Sequence, residues 1–276
     1  MFKLFYNYFR HASLVSTCFL SLVICCTSCS TIKKDTLPVW NEVSPNQAKS
    51  IIQNLTLRSK KISSLKTLAR AKLKRGKDIH SVRYVLAANN KGAFHMQALP
   101  INGAYAMAIL KSDGQKALYL DTAPEIAYLG EVNESSLEKA MGLPLNQHDL
   151  IYILTGSLPL RIINEFSDNL KVMISELGDR FFIIVGREKE VYEFDAKTYR
   201  LKSLKLRDPF KERDLFVFNL DQEFSEEFAI KKAFFDIPEA NVHAELIFSN
   251  TEVNKPISSE LFSQKVPKGW QEKAMD

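Results

Sequence analysis

His243 and Glu245 are two residues apart, so on a β-strand both side chains fall on one face, the spacing at which two metal ligands or an acid–base pair would sit. No stronger catalytic signal occurs in the chain. The histidines His80, His95 and His148 are scattered singly, and no HExxH, no GxSxG and no phosphate-cradling glycine loop is present. Lone histidines are usually structural. A hydrolase built on His243 and Glu245 therefore ranks last of three readings, and the expectation is a binding protein that uses no cofactor and no metal. Cys18, Cys25, Cys26 and Cys29 all precede residue 30. The body of the chain thus has no disulfide framework, no thiolate metal site and no cysteine nucleophile, and an ordinary apolar core must stabilise it.

The cysteines belong to a patterned segment. Lys3 and Arg10 precede an apolar run from Leu14 to Ile24, which closes on Cys26, Thr27, Ser28, Cys29 and Ser30. A basic flank, a short apolar core and a small-residue exit suit the export machinery, and the run is too short and too rich in Ser and Thr for a spanning helix. The exit resembles the cleavage site of bacterial lipoproteins, where a Cys after small residues is lipidated and becomes the new first residue. Thr27 and Ser28 fit that pattern, while Cys26 stands where it usually has Leu. This assigns residues 1–28 as signal peptide, Cys29 as the lipid carrier, 29–43 as lipidated Cys and flexible tether, and 44–276 as one domain. An uncleaved anchor and a plain secretion signal are the alternatives. Without Lys3 and Arg10 the formal charge falls from +5 to +3. That excess is too small to argue for nucleic acid, and a monomer is expected.

The elements follow from pattern. Ser44-Pro45-Asn46-Gln47 reads as a helix start, and Ala48, Ile51, Ile52 and Leu55 then share one face. From Leu65 to Leu73, small and apolar residues alternate with Lys66, Arg70, Lys72 and Lys74 in a half-exposed strand. That basic row reads as a solvated face or as a docking surface for an acidic partner or anionic headgroups. Strands over 82–88, 93–99, 103–112, 116–121 and 125–131 continue a meander, with Leu99-Pro100-Ile101-Asn102-Gly103 between two of them. Two short helices follow, one from Glu134 to Met141 and one capped by Asn146 that stops at Gly156. Seven more strands are expected near 169–176, 180–186, 189–195, 200–206, 213–219, 226–235 and 241–248, in a half rich in Phe. No linker after Val43 and no fixed-period repeat is visible.

The order Met141-Gly142-Leu143-Pro144-Leu145, then the Asn146 helix, then Gly156-Ser157-Leu158-Pro159 resembles the LolB-like outer-membrane lipoprotein receptors, within the wider family of lipoprotein-localisation factors. Leu99-Pro100-Ile101-Asn102-Gly103 resembles that family's protruding loop. The ending from Asn254 through Leu261-Phe262 to Gly269 is similar to that of the related periplasmic carriers. The resemblance implies a mainly β fold with helices, an incomplete antiparallel β-barrel (half-barrel) with a helical plug or lid over an apolar cavity. It implies binding of lipoprotein acyl chains, receipt of cargo from a periplasmic carrier, a lipid anchor, and a place in the outer membrane facing the periplasm. Phe94, Met96, Met107, Ile109, Leu118 and Leu120 would line the cavity or form plain core. Pro100 and Ile101 would form a membrane-insertion loop, unless Ile101 folds inward. The competing reading is a scaffold or partner-binding module of the same fold.

Overall fold

A computed structural model describes residues 40–132, 145–166, 170–186, 189–208, 210–211, 213–221 and 227–275. The export segment, Cys29, the tether before Trp40 and the helix expected from Glu134 to Met141 lie outside the described residues. The described residues form one open sheet of fifteen strands. Its first strand β1 is Trp40–Glu42, and helix α1 is Pro45–Lys60. A meander then runs through β2 (Ser64–Arg75), β3 (Asp78–Asn89), β4 (Ala93–Pro100), β5 (Ala108–Asp113), β6 (Lys116–Asp121) and β7 (Ile126–Glu131). Helices α2 (Gln147–Ile153) and α3 (Leu160–Phe166) follow. A second meander runs through β8 (Leu170–Ser175), β9 (Arg180–Val185), β10 (Glu190–Asp195), β11 (Leu201–Asp208), β12 (Arg213–Leu220), β13 (Lys232–Ile237) and β14 (Val242–Val253). A short β15 (Gln271–Ala274) ends the order.

The two meanders join where β14 lies antiparallel to β2, with Ala244 opposite Leu73 and Phe248 opposite Ala69. β1 and β15 form the two edges, so the sheet does not close. Every neighbouring pair is antiparallel except β7 with β15, a parallel pair that the chain reaches by a long return. The mainly β, incomplete-barrel expectation agrees with this architecture.

Local chemistry accounts for the elements. Ser44 caps α1 by accepting from the Gln47 amide at 3.4 Å, Pro45 occupies the first turn, and Ile51 and Leu55 are buried. Asn146 caps α2 by accepting from the His148 amide at 2.9 Å, and Asp149 lies in the first turn. The strand expected over 103–112 begins only at Ala108, because residues 101–107 form a loop. The strand expected from 226 begins at Lys232. Helix α3 differs from the sequence pattern, which ends the helical stretch at Gly156 and resumes with a strand near 169. Pro159 instead precedes the helix and accepts from the Ile162 amide at 3.1 Å, a place a proline fills without losing a hydrogen bond.

One large apolar cluster joins α1, α2 and α3 to the inner face of the sheet, from Leu65 and Phe94 on one side to Phe181, Phe216 and Phe235 on the other. On the outer face, residues 254–270 run across the sheet as a strap. There Phe262 packs on Ala87 and Ala93, and Val266 and Trp270 pack with Leu118, Leu120 and Ala127.

Candidate functional site

The inner face is built from two unlike halves. Around β9 to β13 the chain fills it with its own rings. Phe181 stacks on Phe194 at 5.3 Å, Phe216 lies 6.3 Å from Phe218 and 5.9 Å from Phe235, and Tyr192 is fully buried among them. On β2 to β6 the face has a different floor. Strand register places Ala69 opposite Tyr84, Tyr84 opposite Ala98, Ala98 opposite Ala108, and Ala108 opposite Asp121. The next row is Thr67, Leu86, Met96, Leu110, Tyr119 and Tyr128. Alanines on β2, β4 and β5 project less far from the sheet than the rings of the Phe-rich half do. All of these alanines are buried.

Two groups in this floor are polar and poorly hydrated. Burial pushes the Tyr84 phenol far above its usual range. Burial also raises the Asp121 carboxyl, against a lowering bond from the Ala123 amide, and Asp121 Oδ1 has no hydrogen-bond partner among the described residues.

At the end of the alanine row the chain makes the 101–107 loop. Its footing is fixed from two sides. Arg83, on the outer face of β3, donates from Nε to the Pro100 carbonyl at 3.2 Å and from a terminal nitrogen to the Gly103 carbonyl at 2.6 Å. Thr122 donates its hydroxyl to the carbonyls of Ala106 and Met107, at 2.6 and 2.8 Å. Gly103 sits against the Pro100 ring so closely that an added Cβ would lie 2.2 Å from the Pro100 Cγ. Within this loop Ile101 is half-buried, whereas Tyr105 is 90 % exposed. The apolar tip is therefore Tyr105, two residues beyond the glycine. The sequence signal would have been a tyrosine flanked by alanines, which the expected strand over 103–112 obscured.

The six residues expected to line one cavity are divided by the sheet. Phe94 and Met96 belong to the inner cluster, with Met107 packed against it. Ile109, Leu118 and Leu120 lie on the outer face, in the cluster under the strap. The reason is the period of two: Leu110 and Tyr119 take the inner positions of β5 and β6, which sends their neighbours outward.

Three bonded groups hold the helices over the sheet. Arg58 of α1, almost fully buried, donates to the carbonyls of Gly156, Thr155 and Glu227 and lies over the Phe228 ring. Burial, with the nearby charge of Arg200, lowers its guanidinium to about 10. Ser59 donates to the Leu158 carbonyl at 2.6 Å. Arg161 of α3 bonds Asp149 of α2 and reaches Glu190 of β10, which also accepts the Tyr192 hydroxyl at 2.7 Å.

His243 and Glu245 do share the outer face of β14, yet they do not converge. His243 Nδ1 bonds Asp236, and Glu245 is paired with Lys232. Among the described residues no three His, Cys, Asp or Glu side chains are grouped to hold a metal ion. No helix among them is long and apolar enough to cross a membrane.

No family model matches the sequence, and no curated protein matches it. Solved structures do. A DUF1329 family protein from Desulfovibrio piger covers 78% of this chain and 96% of its own, with a TM-score of 0.53 and 12% identity. A LolA superfamily protein from Nitrosomonas europaea covers 77% and 97%, with a TM-score of 0.52 and 8% identity. A domain assigned to outer membrane lipoprotein sorting, from Vibrio parahaemolyticus, covers 77% and 94%, with a TM-score of 0.51 and 12% identity. The fold is the LolA/LolB-like one.

Proposed function

We propose that this chain is a lipid-anchored protein of the cell envelope that holds lipoprotein acyl chains against its alanine-floored inner face and helps insert lipoproteins into the outer membrane. The observation that carries the reading is the row Ala69, Tyr84, Ala98, Ala108, which ends beside the loop bearing Tyr105. The names of two structural neighbours, tied to LolA and to lipoprotein sorting, support it.

The physical problem such a protein solves is large. An acyl chain of about 15 methylenes at roughly 0.8 kcal/mol each costs on the order of 12 kcal/mol to leave in water. A receptor must take the chain from a periplasmic carrier without releasing it, so apolar contact has to be continuous along the route. Here the inner face is covered by α1, α2 and α3, and admission of a guest requires this cover to part from the β2–β6 half. The aromatic half stays closed as the rigid wall. Cys29 carries the lipid that keeps the domain at its bilayer, and Pro100, Ile101 and Tyr105 make the loop that meets it.

Mass spectrometry of the purified chain tests the reading. Co-purifying acyl chains, lost on Ala98→Phe and Ala108→Phe, are expected. A chain free of acyl material that also fails to take up a fluorescent fatty acid overturns it. The second reading is a scaffold or partner-binding module of the same fold. It is favoured by the ring-filled β9–β13 half, whose Phe181, Phe194 and Phe216 leave a guest no place there.

A further inference from the structure

The 101–107 loop has a neighbour of a different chemistry. The turn between β2 and β3, Gly76-Lys77, lies at the same end of the sheet, because Val82 pairs with Pro100 and β3 begins still farther out, at Asp78. On the outer face at this end, register places Lys72 opposite Ser81 and Lys74 opposite Ile79. Lys72, Lys74, Arg75 and Lys77 are all exposed; Lys72 faces Glu245 of β14 and Arg75 faces Asp78 across the hairpin. Asp78 is the one carboxylate within the hairpin end itself. Ile79, 55 % exposed, sits between these cations and the loop.

Four exposed cations outnumber the Asp78 and Glu245 carboxylates opposite them, and with an exposed isoleucine and the exposed tyrosine of a clamped loop they form a surface that is basic and apolar at once. Tyrosine prefers the interface of a bilayer, where its ring is apolar and its hydroxyl is wet, and lysines beside it can reach phosphates while their stems stay in apolar surroundings. An acidic protein would satisfy the cations but would leave the ring and Ile79 without a reason to project. The opposite end offers a contrast. Leu177 is equally bare there, but its hairpin carries Glu176 and Asp179, which an anionic surface repels.

We propose that Lys72, Lys74, Arg75 and Lys77 form a docking site for the anionic phospholipid headgroups of a bilayer, placed so that Tyr105 and Ile79 enter the interface beside it. This rests on the reading that the 101–107 loop meets a membrane, and it adds which lipids that contact requires. Docking is then sensitive to salt and to lipid charge, since each exposed basic group near such a surface is attracted over about one Debye length.

The test uses the full chain in vesicles of phosphatidylethanolamine with either phosphatidylglycerol or phosphatidylcholine. Tyr105→Trp is the probe, bromine-labelled acyl chains are the quencher, and signals are read against the parent chain with its Trp40 and Trp270. Expected is quenching in phosphatidylglycerol vesicles at low salt, with a docked-to-undocked ratio that falls roughly 30-fold in Lys74→Gln/Lys77→Gln. A Leu177→Trp probe stays unquenched. Equal quenching in both vesicles, unmoved by salt or by the double variant, overturns the headgroup site while leaving the loop contact standing, and assigns the cations to a protein partner. Absence of quenching in every vesicle overturns both, while acyl-chain content by mass spectrometry still reports separately on cargo binding.

Discussion

Arg161 of α3 and Asp149 of α2 are joined by a 2.6 Å charge-assisted hydrogen bond, and the same guanidinium extends to Glu190 on the sheet at 3.4 Å. Burial alone would lower the guanidinium, but the bond and charge of Asp149 and the charge of Glu190 outweigh it and raise it above its usual value. Asp149 is itself buried, so the pair is shielded from salt. The two short helices are thus bonded to each other and tied to the closed half of the inner face.

Removing the cation should therefore leave a buried carboxylate uncompensated. Arg161→Met is expected to cost about 3–5 kcal/mol, read by urea unfolding. Adding Asp149→Leu should recover most of that loss. If the double variant is no more stable than the single one, the pair does not act as a unit.

His95 makes stability depend on pH. It is buried under the strap with its ring against the Leu261 backbone, and burial, followed by the charge of Lys111, lowers it to about 4. The unfolded chain takes up this proton near the ordinary histidine value of about 6.5, while the folded chain does not until about 4. The contribution is complete above pH 6.5 and is lost as pH falls from there toward 4, on the order of 3 kcal/mol. Denaturant midpoints across that window should decline for the parent and decline less for His95→Leu. Parallel slopes would remove His95 as the cause.

The two faces of β5 and β6 should separate stability from cargo. Leu118→Ala empties a site in the outer cluster and should cost about 2–5 kcal/mol, with acyl content per folded molecule unchanged. Phe94→Ala on the inner face should change both. Loss of acyl material in Leu118→Ala alone would place the cargo under the strap.

Within the loop, Tyr105→Glu should impair lipoprotein delivery in a reconstituted assay more than Ile101→Glu, because only Tyr105 is bare. Both variants should retain cargo binding. A larger effect at Ile101 would mean that the half-buried residue turns outward on contact.

Cys29→Ala is expected to abolish membrane anchoring, and palmitate labelling that persists in this variant would refute lipidation at that position.

Much of the fold was legible because its signals are local. The period of two along Leu65 to Leu73, the Ser44 and Asn146 caps and the turn residues between strands each act over a few positions, and they reappear in β2, α1 and α2. The mainly β class and the exposure of Lys66, Arg70, Lys72 and Lys74 follow from the same alternation. Helix α3 was hidden because Pro159 starts a helix as readily as it ends one. The strap was hidden because it has no period of its own and makes its contacts with Ala87, Ala93 and Leu118, far away in sequence.

Which residues could share a site depended on something no local pattern contains. Strands β5 and β6 are apolar on both faces, so alternation could not say which face turned toward the helices. Only the register, with Leu110 opposite Met96 and opposite Tyr119, sent Leu118 and Leu120 to the strap and gathered the alanines into one row. The sequence by itself determined the strands, the caps and the charge of β2, since those are set by neighbours along the chain. Tertiary structure decided the inner face, the loop tip at Tyr105 and the partner of Arg161, because each is set by which strand or helix lies alongside.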